Sequence, residues 1–549
     1  MGVFLRTSFL QPEFGPINGH ADADLLKSLQ PLFSRLIPDG GAAVAGTAGG
    51  RGSDGDRLSW LFRDSEIPAH PRPPEDYFDF LETVLLPHLA NVSSPRCAGH
   101  MSGATPDFHE RLAGFVVRTN QNLVKFEASR ALSLLERQTL AMLHRLVYEQ
   151  PGEFYDLHVQ EKQSTLGIAC SGGGMANLAG LWCARNLAFP PRGSFVGVEQ
   201  AGLASALVHY GCERAVILTS RAAHYSIEKA AAVLGLGSDG VLPLATDECG
   251  GLDPESLGQQ LEECRRQNWK VVAVVGVAGS TETGSIDPLE AIAAVTRPRG
   301  IHFHVDAAWG APFLFSEEVR PRLRGIGEAD SVTVDGHKLL YTPVGVSALL
   351  LRDPTAAGVL EKTARYMLRP NSEDLGKRSL EGSRSGSVLF VHAALRTFGR
   401  AGFGRMLDHA LSNARLFAEL VRQRPEFELL LKPETNIVLY RYVPQPLRGT
   451  AAGLSLEQHE AVNLANEALQ AEQFRGGRTY VSRTRLEGFG PFRARPTVAL
   501  RAVIAHPLTA PEDLHAILDD QATIGARLTG LVPENPRPLS MPALTKPCT

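Results

Sequence analysis

Ile301-His302-Phe303-His304-Val305-Asp306-Ala307-Ala308-Trp309, followed by Ser331-Val332-Thr333-Val334-Asp335-Gly336-His337-Lys338, is the stretch whose reading decides the fold. Each half is a short apolar, β-branched run that stops at a polar group, which is how a strand buried on both faces reads. A carboxylate (Asp306) and an amine (Lys338) therefore fall at the ends of successive strands. The same pattern continues outward. Runs at 165–169, 215–219, 241–244, 271–277, 302–305, 331–334 and 346–351 alternate with helical periodicity at 175–186, 225–234, 254–267 and 288–295. This predicts an α/β fold, a doubly wound and mostly parallel seven-stranded sheet whose ligands sit beyond the carboxyl ends of the strands.

Chemistry-bearing residues recur at those ends. Cys170-Ser171-Gly172-Gly173-Gly174-Met175-Ala176-Asn177 joins a strand to a helix, so free N–H groups of Ser171 to Gly174 and the positive end of the helix dipole suit a phosphate. His224 opens the helix after the second run and can lie on a flat aromatic ligand. Asp306 at the end of an apolar strand is costly unless a cation meets it. Lys338 is a nucleophilic amine. Each signal alone has an ordinary explanation as a turn, a cap or a solvated charge. Together and in this order they describe a pyridoxal phosphate site, in which the lysine holds the cofactor aldehyde and the carboxylate keeps the pyridine nitrogen protonated.

Further motifs carry a family resemblance. Gly99-His100-Met101-Ser102, Asn120-Gln121-Asn122, Glu127-Ala128-Ser129, Leu135-Glu136-Arg137-Gln138, Glu381-Gly382-Ser383-Arg384-Ser385-Gly386, Val481-Ser482-Arg483-Thr484, and Leu500-Arg501 through His506-Pro507-Leu508-Thr509 extend it from about 98 to 521. With them the chain resembles the group II pyridoxal phosphate-dependent decarboxylases of fold type I. Within that family it is similar to the aspartate 1-decarboxylases, which are glutamate decarboxylase-like. The resemblance implies that Lys338, Asp306 and His224 are catalytic. It implies that Gly173 and Gly174 hold the phosphate, that Ala308 underlies the other ring face, and that Thr281 and His337 lie near the cofactor. It implies Arg384 as the anchor for a substrate carboxylate, with His100 and Asn122 beside it and Lys125 or Arg130 as substitutes. It also implies a homodimer in which the N-terminal segment wraps over the partner. Gly174 stands where many relatives have threonine. The stretch Pro370-Asn371-Ser372-Glu373-Asp374-Leu375-Gly376 lacks the loop tyrosine that reprotonates the product carbon in many relatives, leaving Tyr366, Tyr341 and His337 as donors.

The expected organisation is an N-terminal segment over 1–125 on the dimer partner, a cofactor-binding domain over 126–395, a small α+β domain over 396–530 and a Pro-rich tail over 531–549. A Gly-rich loop is expected at 39–56. Helices are expected at 74–86, 123–149, 391–422 (one or two) and 510–523, and strands at 436–442, 477–482 and 498–504. Of the 549 residues 44% are hydrophobic, and 55 basic against 59 acidic residues give a net charge of −4. Nucleic acid is not an expected partner, since no basic run is present. Seven cysteines form no CxxC pair, no metal site is expected, and no apolar run is long enough for a membrane, so the cytoplasm is the expected compartment.

These features lead to α-decarboxylation of an acidic amino acid, aspartate or a 3-methylaspartate-like relative, to a β-amino acid and CO2. Three other readings stay open. The first is the same reaction on an aspartyl group tethered to a carrier protein, with Arg475 and Arg478 or Arg320, Arg322 and Arg324 as a basic rim. The second is a pyridoxal phosphate aminotransferase, and the third a non-catalytic binding protein.

Overall fold

The computed structural model describes residues 27, 29, 30, 54–364, 368–449 and 453–528. Most of the Gly-rich stretch, the Pro-rich tail and Tyr366 lie outside the described residues. The end of the Gly-rich stretch differs from expectation, because Asp54 already begins the helix Asp54–Leu61.

Two sheets organise the chain. The larger consists of β2 (Gly167–Cys170), β3 (Arg214–Ser220), β4 (Val241–Leu244), β5 (Trp269–Val277), β6 (His302–Asp306), β7 (Ser331–Asp335) and β8 (Ser347–Leu351), in the spatial order β2-β8-β7-β6-β5-β3-β4. All seven strands fall where the apolar runs place them. β8 runs antiparallel to both neighbours, and the other pairings are parallel. Every residue of β6 and β7 is buried, which is why both read as nearly continuous apolar runs. The helix Gly173–Ala188 packs on β5, β7 and β8, while Ala131–Tyr148 covers β2 and β8 and meets Val388–Gln423. In Ala131–Tyr148 the apolar stripe Leu132, Leu135, Leu140, Leu143 and Leu146 is buried at its last three positions and half-buried at Leu132 and Leu135.

The register sets the site. Asp306 is paired with Val277 on one side and Thr333 on the other, so the turns that follow β5, β6 and β7 open at one edge of the sheet. Gly336 fits only as glycine: an added Cβ would stand 2.8 Å from Thr342 Oγ1, 2.9 Å from Val391 Cγ2 and 3.0 Å from the Val346 carbonyl oxygen. This close packing holds the turn that carries Lys338.

The second sheet has the order β1-β11-β12-β10-β9, from Cys97–Ala98 (β1), Phe427–Leu429 (β9), Ile437–Tyr442 (β10), Tyr480–Leu486 (β11) and Thr497–Val503 (β12). β1 pairs with β11 through Cys97↔Tyr480 and Ala98↔Val481, so part of the N-terminal segment is built into the chain's own C-terminal sheet. Helix Val388–Gln423 is two segments that meet at a kink at Gly399, where φ is +60°. Helices Phe108–Thr119, Val198–Tyr210 and Leu456–Gly476 were not expected from the sequence. No helix among the described residues is long and apolar enough to cross a membrane.

Overpacking at the Lys338 turn gives a direct test of this architecture. Gly336→Ala is expected to lower unfolding stability by about 1–3 kcal/mol, read from the urea midpoint.

Candidate active site

A cleft opens at the carboxyl ends of β5, β6 and β7, lined by Gly173, Gly174, His224, Thr281, Ala308 and Lys338 together with Asn177, Asp306 and Asp335. Its floor is Asp306, 7% exposed. Asn177 Nδ2 donates to Asp306 Oδ2 at 2.8 Å and the Ala308 N–H to Oδ1 at 3.2 Å. Two donors in a buried setting leave room for a cationic partner, and a protonated ring nitrogen meets that requirement.

Lys338 lies at the other wall. Its Nζ is 3.3 Å from Asp335 Oδ2, and Asp335 in turn accepts a hydrogen bond from the Ser347 hydroxyl. Asp335 was not singled out from the sequence, where it reads as the polar end of an apolar strand; the signal available was its position three residues before the lysine. His337 points its Nε2 toward Asp335 Oδ2 at 3.7 Å and does not line the cleft.

The glycine-rich turn joins strand to helix as its sequence implies. Gly172 is extended at the N-cap of Gly173–Ala188, no side chain caps the helix, and the first N–H groups have no intrahelical acceptor. Gly173 is required by close approach, since a Cβ there would be 2.8 Å from Asp335 Oδ2. At Gly174 a Cβ would meet only Ser226 Cβ, at 3.7 Å, so the missing threonine hydroxyl leaves space and not a distortion. The Ser171 N–H is occupied by Glu381 Oε2 at 3.0 Å, and neither Ser171 nor Gly172 lines the cleft.

His224 is fixed from one side by Ser226, whose hydroxyl lies 2.8 Å from Nδ1. Burial lowers its pKa, opposed by the nearby Asp306 carboxylate, which favours a neutral ring. The cleft thus offers helix N–H groups, a small Ala308 wall, a flat imidazole, a buried carboxylate and a primary amine. This donor set fits a phosphorylated pyridine aldehyde.

Three substrate-binding expectations fare differently. Arg384 is not free for a substrate: its two terminal nitrogens donate to Glu136 Oε2 at 2.9 Å and Oε1 at 2.8 Å, with the side chains 11% and 2% exposed. Burial would lower its pKa, but the Glu136 charge outweighs this and raises it. Against the expectation that Arg384 anchors a substrate carboxylate stands this pairing, in which a carboxylate of the protein fills both donor positions. Asn122 is also committed, donating to Ser383 Oγ at 2.9 Å and accepting from the N–H groups of Val124 and Arg384, so it braces a loop outside the cleft. His100 is exposed, its ring 5.5 Å from Tyr480, with its pKa lowered by burial and by Arg501.

That points to Arg501. The residue is 9% exposed; Nη1 donates to Ser482 Oγ at 2.9 Å, and Nε is buried without a partner. It faces Glu282, next to the cleft residue Thr281, and Glu282 has its pKa raised by burial. The sequence showed Arg501 only as part of a motif. Lys125 pairs with Glu127 at 2.6 Å, and Arg130 sits in a break between two helices. The basic-rim arginines are largely spent: Arg320 on Glu149, Arg322 on Glu434, Arg475 on Glu472 and Arg478 on Asp520. Tyr341 is buried with no partner for its hydroxyl, and burial raises its pKa.

A sheet with its cofactor cleft at this edge, a phosphate turn, and a lysine with a strand-end aspartate define the class of fold-type-I pyridoxal phosphate enzymes. Residues 60–443 match the model of the pyridoxal-dependent decarboxylase conserved domain. The chain is 40% identical over 469 residues to the aspartate 1-decarboxylase of Aliivibrio fischeri, covering 85% of this chain and 86% of that one. It is 31% identical over 444 residues to the L-2,4-diaminobutyrate decarboxylase of Rhizobium meliloti, covering 79% and 78%. The crystal structure of mouse CSAD in apo form superposes with a TM-score of 0.75 at 27% identity, covering 86% of this chain and 92% of that one. The chain belongs to the pyridoxal-dependent decarboxylase family, and it is a pyridoxal phosphate-dependent carboxy-lyase acting on an amino acid. Family membership sets aside the aminotransferase and the non-catalytic readings.

The Arg384–Glu136 pair should behave as a structural pair. Glu136→Ala leaves a buried guanidinium without its partner and is expected to cost about 3–5 kcal/mol of unfolding stability. The check is a urea titration alongside steady-state kinetics; a variant of parental stability with a raised KM would restore Arg384 to the substrate.

Proposed function

We propose that this enzyme removes the α-carboxylate of an acidic amino acid, aspartate or a 3-methylaspartate-like relative, giving a β-amino acid and CO2. The observation that carries the substrate class is Arg501, a buried arginine with an unpartnered Nε whose charge interacts with Glu282, the neighbour of cleft residue Thr281. A cation in that state is stabilised by a carboxylate ligand. The relation to an aspartate 1-decarboxylase supports the same choice.

Bound pyridoxal phosphate supplies an electron-accepting ring for the pair left on Cα when CO2 departs. Lys338 would hold the cofactor through its aldehyde, and Gly173 and Gly174 would receive the phosphate on their N–H groups. Asp306 would keep a proton on the ring nitrogen by its charge. His224, Ala308 and Thr281 would confine the ring, and His337 would support Asp335 behind the lysine. Arg501 would bind the side-chain carboxylate, while the departing carboxylate is left without an ion pair that would stabilise the ground state more than the transition state. Glu282 and His100 beside Arg501 would then bound the length of substrate accepted.

A homodimer is part of the same proposal. Trp60, Ile67, Tyr77 and Phe78 are 60% or more exposed on the segment upstream of the large sheet, a grouping of apolar side chains that a partner subunit would cover.

Lys338→Ala is expected to lose the visible absorbance of the bound cofactor and essentially all turnover; full turnover in that variant would reject its role. Release of CO2 should be fastest from aspartate or 3-methylaspartate among free acidic and aromatic amino acids. Activity confined to aromatic substrates, or to an aspartyl group loaded on a carrier protein, would overturn the substrate proposal. Light scattering of the purified enzyme should give twice the chain mass.

A further inference from the structure

A continuous polar chain leaves the cleft through the body of the sheet. Asn177 stands at its branch point. One Nδ2 hydrogen goes to Asp306 Oδ2 at 2.8 Å and the other to Ser226 Oγ at 2.9 Å. Asn177 Oδ1 lies 3.0 Å from His304 Nε2. His304 Nδ1 lies 2.8 Å from Ser331 Oγ, and Ser331 Oγ lies 2.8 Å from His302 Nε2. His302, Ser331, His304 and Asn177 are all buried. His302 begins β6 and borders a cavity lined also by Lys270 and Arg352, at the end of the strand away from Asp306. The relay therefore runs about 13 Å along β6 at ~3.3 Å per residue.

Chemistry assigns each proton on this chain. Turning the Asn177 amide over would set its oxygen against the Asp306 carboxylate, so Oδ1 must face His304 and Nε2 of His304 must carry hydrogen. Burial lowers the pKa of His304 and holds the ring neutral, so its Nδ1 is an acceptor for the Ser331 hydroxyl. Ser331 Oγ can then accept from His302 Nε2. On the other branch Ser226 Oγ accepts from Asn177, so its own hydrogen goes to His224 Nδ1, which the Ser226 backbone N–H also approaches at 3.3 Å. The His224 proton is thereby on Nε2.

We propose that His304 and Ser331, oriented by His302, are positioning residues that set the Asp306 carboxylate and the His224 tautomer together through the single amide of Asn177. The inference rests on the cofactor reading of Asp306 and His224. Its consequence is that a change in the interior of the sheet, with no contact to substrate, alters the electronic state of the bound cofactor. Loss of such supporting hydrogen bonds behind an active-site ligand typically costs about 10–100-fold in affinity or activity.

The test compares Ser331→Ala, His304→Leu and His304→Gln as cofactor-loaded enzymes, reading kcat, KM and the visible absorption spectrum at one fixed pH. His304→Leu should lose about 10–100-fold and Ser331→Ala about tenfold in kcat, with KM within about threefold and an altered ratio of the cofactor bands. His304→Gln, whose side-chain NH2 can replace the Nε2–H donor, should recover much of the loss. Ser331→Ala removes one oxygen, so it decides the matter if His304→Leu does not fold. Parental kcat and spectrum in folded, loaded Ser331→Ala would overturn the relay. A parent enzyme without a visible cofactor band would instead overturn the reading on which it rests.

Discussion

The structure depends on a buried carboxylate at the end of a central strand. Asp306 is desolvated by its place in β6, and an isolated charge there would cost several kcal/mol. Two donors, Asn177 and the Ala308 N–H, meet part of that cost, and the remaining stabilisation has to come from a cation in the cleft. The sheet supplies the geometry for this: parallel β5, β6 and β7 in register bring three turns to the same edge, and each contributes one wall. In the proposed function, a ring nitrogen held cationic by this carboxylate would make the site an electron acceptor.

Arginines in this chain show that charge alone does not identify a binding group. Arg384 and Arg501 are both largely buried, and only Arg384 reads as an anchor in the sequence. Arg384 meets a carboxylate of its own chain in a two-pronged pair, and its contribution is to the packing of Ala131–Tyr148 against the following segments. Among the described residues Arg501 donates to one hydroxyl and to no carboxylate, while the Nε of each arginine is unmet. The difference lies in desolvation without compensation, which is the condition that makes a ligand carboxylate favourable.

Much of this was legible in the residue order. Strands buried on both faces announce themselves as unbroken β-branched runs, and the glycine turn, His224, Asp306 and Lys338 follow such runs at once. Strand direction was not legible, because the antiparallel course of β8 leaves no trace in a pattern that records burial alone. Helix Leu456–Gly476 lacked an apolar stripe because its inward face is polar: Asn466 bonds the backbone of Tyr442 and Asn463 that of Val498. Helix Val198–Tyr210 is broken at Gly202, where φ is +79°, which hid its period. Asn177 and His304 read as helix and strand interior, since their partners lie 129 and 127 positions away in the chain. The pairing of Arg384 was not legible for the same reason: Glu136 lies 248 positions from it.

The central claim is electrostatic, and nitrogen NMR of enzyme loaded with ring-15N pyridoxal phosphate addresses it most directly. The account predicts a pyridinium shift that persists through neutral pH in the parent and collapses to that of a neutral pyridine in Asp306→Asn. A neutral ring nitrogen in the parent, or a pyridinium signal unchanged by Asp306→Asn, would contradict it.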